Sequence, residues 1–159
     1  MANVSLGHGP VVIPLTGTEW VENHISAIYK APNQREFSTA FDEFVDEHAH
    51  ITVNGKQLNR DQYKELFQGE RALESSATVS FLGAVEVPAN KKEHQSAGHV
   101  GVYYKAIVYE RLVFGADRES RTVNSSLNVV VKDGGNLEGH RVTGVDQVII
   151  SEPNPVRFH

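Results

Sequence analysis

Apolar residues fall at helical spacing along the first half of the chain and at alternate positions along the second. Phe37, Ala40, Phe41, Phe44, Val45 and His48 stand at i, i+3, i+4, i+7, i+8 and i+11, one continuous helical stripe. Asn33-x-x-Glu36 opens it with a capping signal. Upstream, Thr16-x-x-Glu19 has the form of a capping box, and Trp20, His24, Ile25 and Ile28 follow at helical intervals. The spacing predicts a first helix from about Thr18 to Tyr29, ended by Pro32. A third, short helix is predicted after Asn59-x-x-Gln62, with Tyr63, Leu66 and Phe67 inward and Gly69 near its end. Between the second and third helices, a short strand Ile51-Thr52-Val53 runs into Asn54-Gly55. That dipeptide accepts positive φ at both turn centres and predicts a hairpin.

From Ser76 to Val87 the pattern alternates, with Ala77, Val79, Phe81, Val85 and Val87 on one face. Gly98 to Phe114 reads as a long strand and Thr122 to Lys132 as another. Asp133-Gly134-Gly135-Asn136 then turns the chain into a last strand from about Leu137 to Ile150. Four strands in succession with short connections predict an antiparallel meander. Alternation assigns Val100, Val102, Tyr104, Ala106, Val108, Glu110 and Leu112 to the inner face. His99, Gly101, Tyr103, Lys105, Ile107, Tyr109 and Arg111 take the outer face. On the next strand Val123, Ser125, Leu127, Val129 and Val131 are expected inward. On the last, His140, Val142, Gly144, Asp146, Val148 and Ile150 are.

Length adds one constraint: 159 residues make a single domain. With 40% hydrophobic and 22% charged residues, the chain is not disordered along its length. A net charge of −5 argues against a nucleic-acid partner, which needs clustered Lys and Arg. No apolar run reaches the roughly 18–20 residues of a membrane span. The N-terminus lacks the pattern of a signal peptide, so a cytoplasmic location is expected. Cysteine is absent, which excludes disulfides, thiolate nucleophiles and cysteine-bound zinc. Glycine-rich phosphate loops, GxSxG and HExxH are missing too, so no cofactor is expected.

The order of elements resembles the nuclear-transport-factor-2-like (NTF2-like) superfamily, the SnoaL-like or ketosteroid-isomerase-like cone fold. The likeness is carried by Phe44-x-x-x-His48-x-His50-Ile51-x-Val53-Asn54-Gly55-Lys56, followed by Asn59-Arg60-Asp61-Gln62-Tyr63. A second part is Lys132-Asp133-Gly134-Gly135-Asn136-Leu137. It implies an α+β fold, a cone with three N-terminal helices packed on a curved antiparallel sheet. A single NTF2-like domain would span residues 1–159, with its core at about 16–150. It also implies a pocket between helices and sheet, and a homodimer paired through the outer sheet face at Tyr103, Ile107 and Tyr109.

Asp146 is the leading candidate for chemistry. A carboxylate on an apolar inward face is desolvated, so its pKa rises toward the working pH and it can exchange protons. The resemblance places an acidic residue of the final strand in the pocket. His50, at the helix-to-strand junction, is the candidate orienter of Asp146. Trp20, Tyr29, Phe41 and Tyr63 from the helices, with Tyr104, Leu127 and His140 from the sheet, are candidate ligand contacts; a buried Tyr hydroxyl needs a partner that a ligand oxygen can supply. His48-x-His50, after Asp46 and Glu47, is the one local histidine cluster; it lacks an evident third ligand, so no metal is expected. Glu110 is either a buried acid or paired with Arg111, Arg118 or Arg121. Two functions fit. One is a pocket protein for a small, mostly apolar molecule, working if catalytic by cofactor-free acid/base chemistry of isomerase, cyclase or hydratase/hydrolase type. The other is a non-catalytic homodimeric protein-interaction module whose pocket is filled. Cavity volume separates them, about 300 Å³ or more with convergent polar groups favouring the first.

Overall fold

The computed structural model describes residues 16–70, 76–89, 97–110, 119–133 and 139–155. Each helix starts where the capping residues stand. The Thr16 hydroxyl accepts from the Glu19 amide at 3.1 Å and the Glu19 carboxylate accepts from the Thr16 amide at 3.4 Å, opening α1 (Gly17–Lys30). The Asn33 side chain accepts from the Glu36 amide at 2.9 Å and opens α2 (Gln34–Phe44). Asn59 and Gln62 exchange the same reciprocal bonds, at 2.8 and 2.9 Å, before α3 (Arg60–Glu70). These contacts satisfy amides that a helix leaves without an internal partner.

The stripe expected to run through His48 stops at Phe44. Val45 is already extended, with φ −102° and ψ 125°, although its amide still bonds the Phe41 carbonyl. The Asp46 carboxylate then accepts from the His48 amide at 2.9 Å, a local bond that competes with the helical one. The chain therefore continues as β1 (Val45–Val53), nine residues where three were expected. Asn54 and Gly55, both at positive φ (50° and 81°), turn it into β2 (Lys56–Leu58).

The remaining strands are β3 (Ser76–Pro88), β4 (Gly98–Tyr109), β5 (Ser120–Lys132) and β6 (Arg141–Pro153). They form the expected antiparallel meander. β1 joins the far side of β6 in parallel, giving a six-stranded sheet in the order β2-β1-β6-β5-β4-β3. The sheet is thus mixed, a correction to the all-antiparallel expectation. The fold is α+β, with three helices covering one face of this sheet. Among the described residues, no helix is long and apolar enough to cross a membrane.

Two β-bulges decide which residues face the helices. On β3, Phe81 opposes Tyr104 and Gly83 opposes Tyr103, leaving Leu82 as the extra residue. On β6, Val142 opposes Val131 and Gly144 opposes Val130, leaving Thr143 extra. An inserted residue reverses the alternation beyond it. Glu86 consequently faces α1, where its carboxylate accepts from the Gly17 amide and the Thr18 hydroxyl, each at 3.1 Å. That charge sits at the positive end of the helix. Val85 and Val87 turn outward, against the expectation that they share a face with Phe81.

The core lies between the helices and the inner sheet face. Trp20, Ile25, Ile28 and Tyr29 of α1, Phe37, Phe41 and Phe44 of α2, and Tyr63 and Phe67 of α3 meet Val102, Tyr104, Val123, Leu127 and Val142 of the sheet. Fully burying side chains of this size stabilises by about 1.5–3 kcal/mol each.

Candidate functional site

The interior between helices and sheet holds a hydrogen-bonded cluster. The Tyr29 and Tyr104 hydroxyls lie 3.0 Å apart. The Gln147 amide donates to the Tyr104 hydroxyl at 3.2 Å and to the Ser125 hydroxyl at 2.8 Å, while its oxygen accepts from the Tyr63 hydroxyl at 2.6 Å. All five residues are buried. Burial, and then the neighbouring Tyr104, pushes the Tyr63 phenol well above its ordinary range, so it remains a donor. Around the cluster, Phe67 stands edge-on to Tyr29 and to Tyr63, with ring centroids 5.6 and 5.0 Å apart. Phe41 lies 5.9 Å from Tyr63, and Phe81 6.0 Å from Tyr104. The tyrosine hydroxyls expected to await a ligand oxygen are met by the chain's own groups.

At the other end of the interior, Trp20 and His24 lie 4.3 Å apart and His24 stacks on Phe44 at 5.6 Å. Burial, reinforced by the charge of Arg141, lowers the His24 pKa to about 4. His140 is buried beside this group, 6.1 Å from Trp20, with Nδ1 3.9 Å from the Asp133 carboxylate.

The opposite face of the sheet is unusually apolar for a solvated surface. Val85, Leu82, Val87, Tyr103, Val148 and Ile150 are between 46% and 72% exposed. At one end of this face lies a groove of about 480 Å³. Gly101 and Gly144 form its floor, and Val85, Val87 and Val130 its apolar walls. His50, Thr52, His99, Asn128 and Asp146 bring polar groups to it. A side chain at Gly101 would start 2.7 Å from the Asn128 side-chain oxygen, and one at Gly144 would start 3.2 Å from a Val130 methyl. The two glycines therefore keep the depression open. Among the described residues, none in reach forms a group of three or more metal-ligating side chains.

Asp146 does not point into the core. Thr143 shifts the register of β6, so Val142, Val145, Gln147 and Ile149 are the buried residues, while Asp146, Val148 and Ile150 are exposed. Gly144 too lies on the outer face. His50 is likewise exposed, on β1, opposite Gly144 and two positions from Thr52, the neighbour of Asp146. The expected acid and its orienter thus share one groove on the wrong side of the sheet. Trp20, Tyr29, Phe41, Tyr63, Tyr104, Leu127 and His140 are all buried inside. Tyr103 is exposed on the outer face, with Ile107 and Tyr109 half-buried beside it on β4. Glu110 lies just past β4, its amide bonded to the Glu119 carbonyl at 2.7 Å. Partial burial, then hydrogen bonding and charge from the Glu119 carboxylate, raise its pKa, against an opposing pull from Arg121. Arg111, Arg118 and Leu112 lie outside the described residues.

Gln147 is the central interior residue that alternation misses. Its signal is Gly144: a glycine inside a strand often marks a bulge, and one inserted residue exchanges the faces of Asp146 and Gln147. Gly83 beside Leu82 carries the same signal on β3.

No protein-family model matches this chain, and neither does any curated protein. Among solved structures, the chain is similar to the Mtr2 protein of Candida albicans, with 15% identity over 86% of this chain and 94% of that one, at a TM-score of 0.49.

Proposed function

We propose that the protein is a non-catalytic interaction module that pairs with a second copy of itself through the outer sheet face. One contrast carries this reading: the interior holds buried aromatic rings joined by a hydrogen-bonded cluster of the chain's own groups, while the valines, isoleucine and tyrosine of the outer face are exposed. Contiguous exposed apolar side chains of this kind mark an interaction surface. Tyr103 is the aromatic anchor of the patch, with Val148 and Ile150 across β5 from β4. Light scattering and sedimentation of the purified chain test it. A dimer that becomes monomeric in Val148→Glu/Ile150→Glu, with the melting temperature of the fold retained, is the expected result. A wild-type chain that stays monomeric at every concentration overturns it.

A second reading rests on the groove. Its volume exceeds the threshold of about 300 Å³, and His50 and Asp146 converge on it, as a small-molecule site with acid/base capacity requires. A thermal-shift screen with steroids, terpenoids, polyketides and fatty acids separates the two. Stabilisation by one of these compounds, lost in Asp146→Asn, supports the groove as a ligand site.

A further inference from the structure

Covering the apolar patch of the outer face would also cover two charges that lie within it. Lys105 of β4 and Asp146 of β6 are exposed, and among the described residues neither has an ion-pair partner. The other formal charges on the outer side of β4, β5 and β6, namely Lys132, Arg141 and Glu152, sit toward strand ends. Burying a charge without a partner is costly, so an interface over this patch must pair both.

They cannot pair with each other in one chain. Lys105 sits beside Asn124 on one side of β5, and Asp146 beside Asn128 on the other. Four residues along the strand separate their levels by ~13 Å, and two strand spacings of ~4.8 Å separate them sideways. Ser126, small and exposed, lies midway between them. A two-fold axis places residue i of one copy on residue j of the other, and j on i, so a single operator passing over Ser126 forms both pairs at once. Asp146 also borders the groove that Gly101 and Gly144 keep open, which gives an incoming lysine stem a place to lie.

Building on the homodimer reading, we infer that the two copies meet face to face about an axis over Ser126, each seating its Lys105 in the other's groove against Asp146. The partner this surface fits is a second copy of the chain, recognised by one reciprocal charge pair within an apolar patch.

Charge reversal followed by mixing tests the pairing. Lys105→Glu and Asp146→Lys each bring like charges together in the homodimer, and each should weaken it at least tenfold in sedimentation equilibrium. Mixed in equal amounts, the two variants restore both attractive pairs, so a heterodimer of near wild-type affinity should form. The double variant should recover a homodimer. If the single variants dimerise as tightly as wild type, or the mixture stays monomeric, the pairing is wrong although the chain still dimerises. A monomeric wild-type chain instead overturns the homodimer reading itself. Unchanged melting temperatures in the single variants exclude misfolding as the cause of a lost dimer.

Discussion

The Tyr63 hydroxyl donates to the Gln147 side-chain oxygen at 2.6 Å, joining α3 to β6 across 84 positions of sequence in a fully buried site. Tyr63→Phe leaves that oxygen in the core with no donor from α3, which should cost about 1–3 kcal/mol in urea denaturation. Gln147→Leu removes a partner from the Tyr63, Ser125 and Tyr104 hydroxyls, of which Tyr104 keeps Tyr29, and should cost at least as much. The double variant should be less destabilised than the sum of the two, because both remove the same bond. Additive losses would show that the bond contributes nothing of its own.

His24 links stability to acidity. Its pKa in the folded chain, about 4, lies below the ordinary 6.5, so the native state holds the ring neutral where the unfolded chain protonates it. Stability should therefore be intact above pH 6.5 and fall between 6.5 and about 4, by at most about 1.4 kcal/mol per pH unit. His24→Phe keeps the stack on Phe44 and removes the titration. Its urea midpoint should hold across this window while the wild type declines, and parallel profiles would refute the linkage.

Glu110 works in the opposite direction. Its raised pKa means that the protonated carboxyl is favoured in the folded chain, so its contribution is present at low pH and lost as pH climbs past 4.5. Glu110→Gln mimics the protonated form. It should stabilise the protein slightly at neutral pH, by no more than about 0.5 kcal/mol at so exposed a site, and leave it unchanged near pH 3. Thermal melts at the two pH values measure the difference.

Deleting Thr143 removes the bulge of β6. Every residue beyond it then changes face, driving the Asp146 carboxylate inward and taking Gln147 away from its three hydroxyl partners. The deletion should abolish cooperative unfolding. Thr143→Ala, which keeps the register, should be tolerated within about 1 kcal/mol. A deletion variant that melts like wild type would mean that the register of β6 is set elsewhere.

The helices were legible because caps and stripes are local signals: Thr16, Asn33 and Asn59 each stand where a helix begins. The inner faces of β4 and β5 were legible for the same reason, their alternation being unbroken from Val100 to Val108 and from Val123 to Val131. The candidate site was misread where an inserted residue broke that count. Asp146 and Gln147 are neighbours in sequence, and one extra residue, Thr143, decides which enters the core. The parallel pairing of β1 with β6 was beyond reach of local pattern, since it joins residues as far apart as Val45 and Val142. His50 and Asp146 nonetheless border one groove, on the outer face, because β1 pairs with β6.

The place of β6 in the sheet imposes an order on folding. β6, which follows the other five strands in chain order, lies between β1 and β5, so neither can complete its hydrogen bonds until residues 141–153 have left the ribosome. Until then the β1–β2 hairpin and the β3–β4–β5 meander are separate pieces, each with an open edge. Contacts as distant as Asn54 with Ile149 give this topology a high contact order, and hence slow folding for its size. A nascent chain stalled before Arg141 would leave the β6-facing edges of β1 and β5 both unpaired.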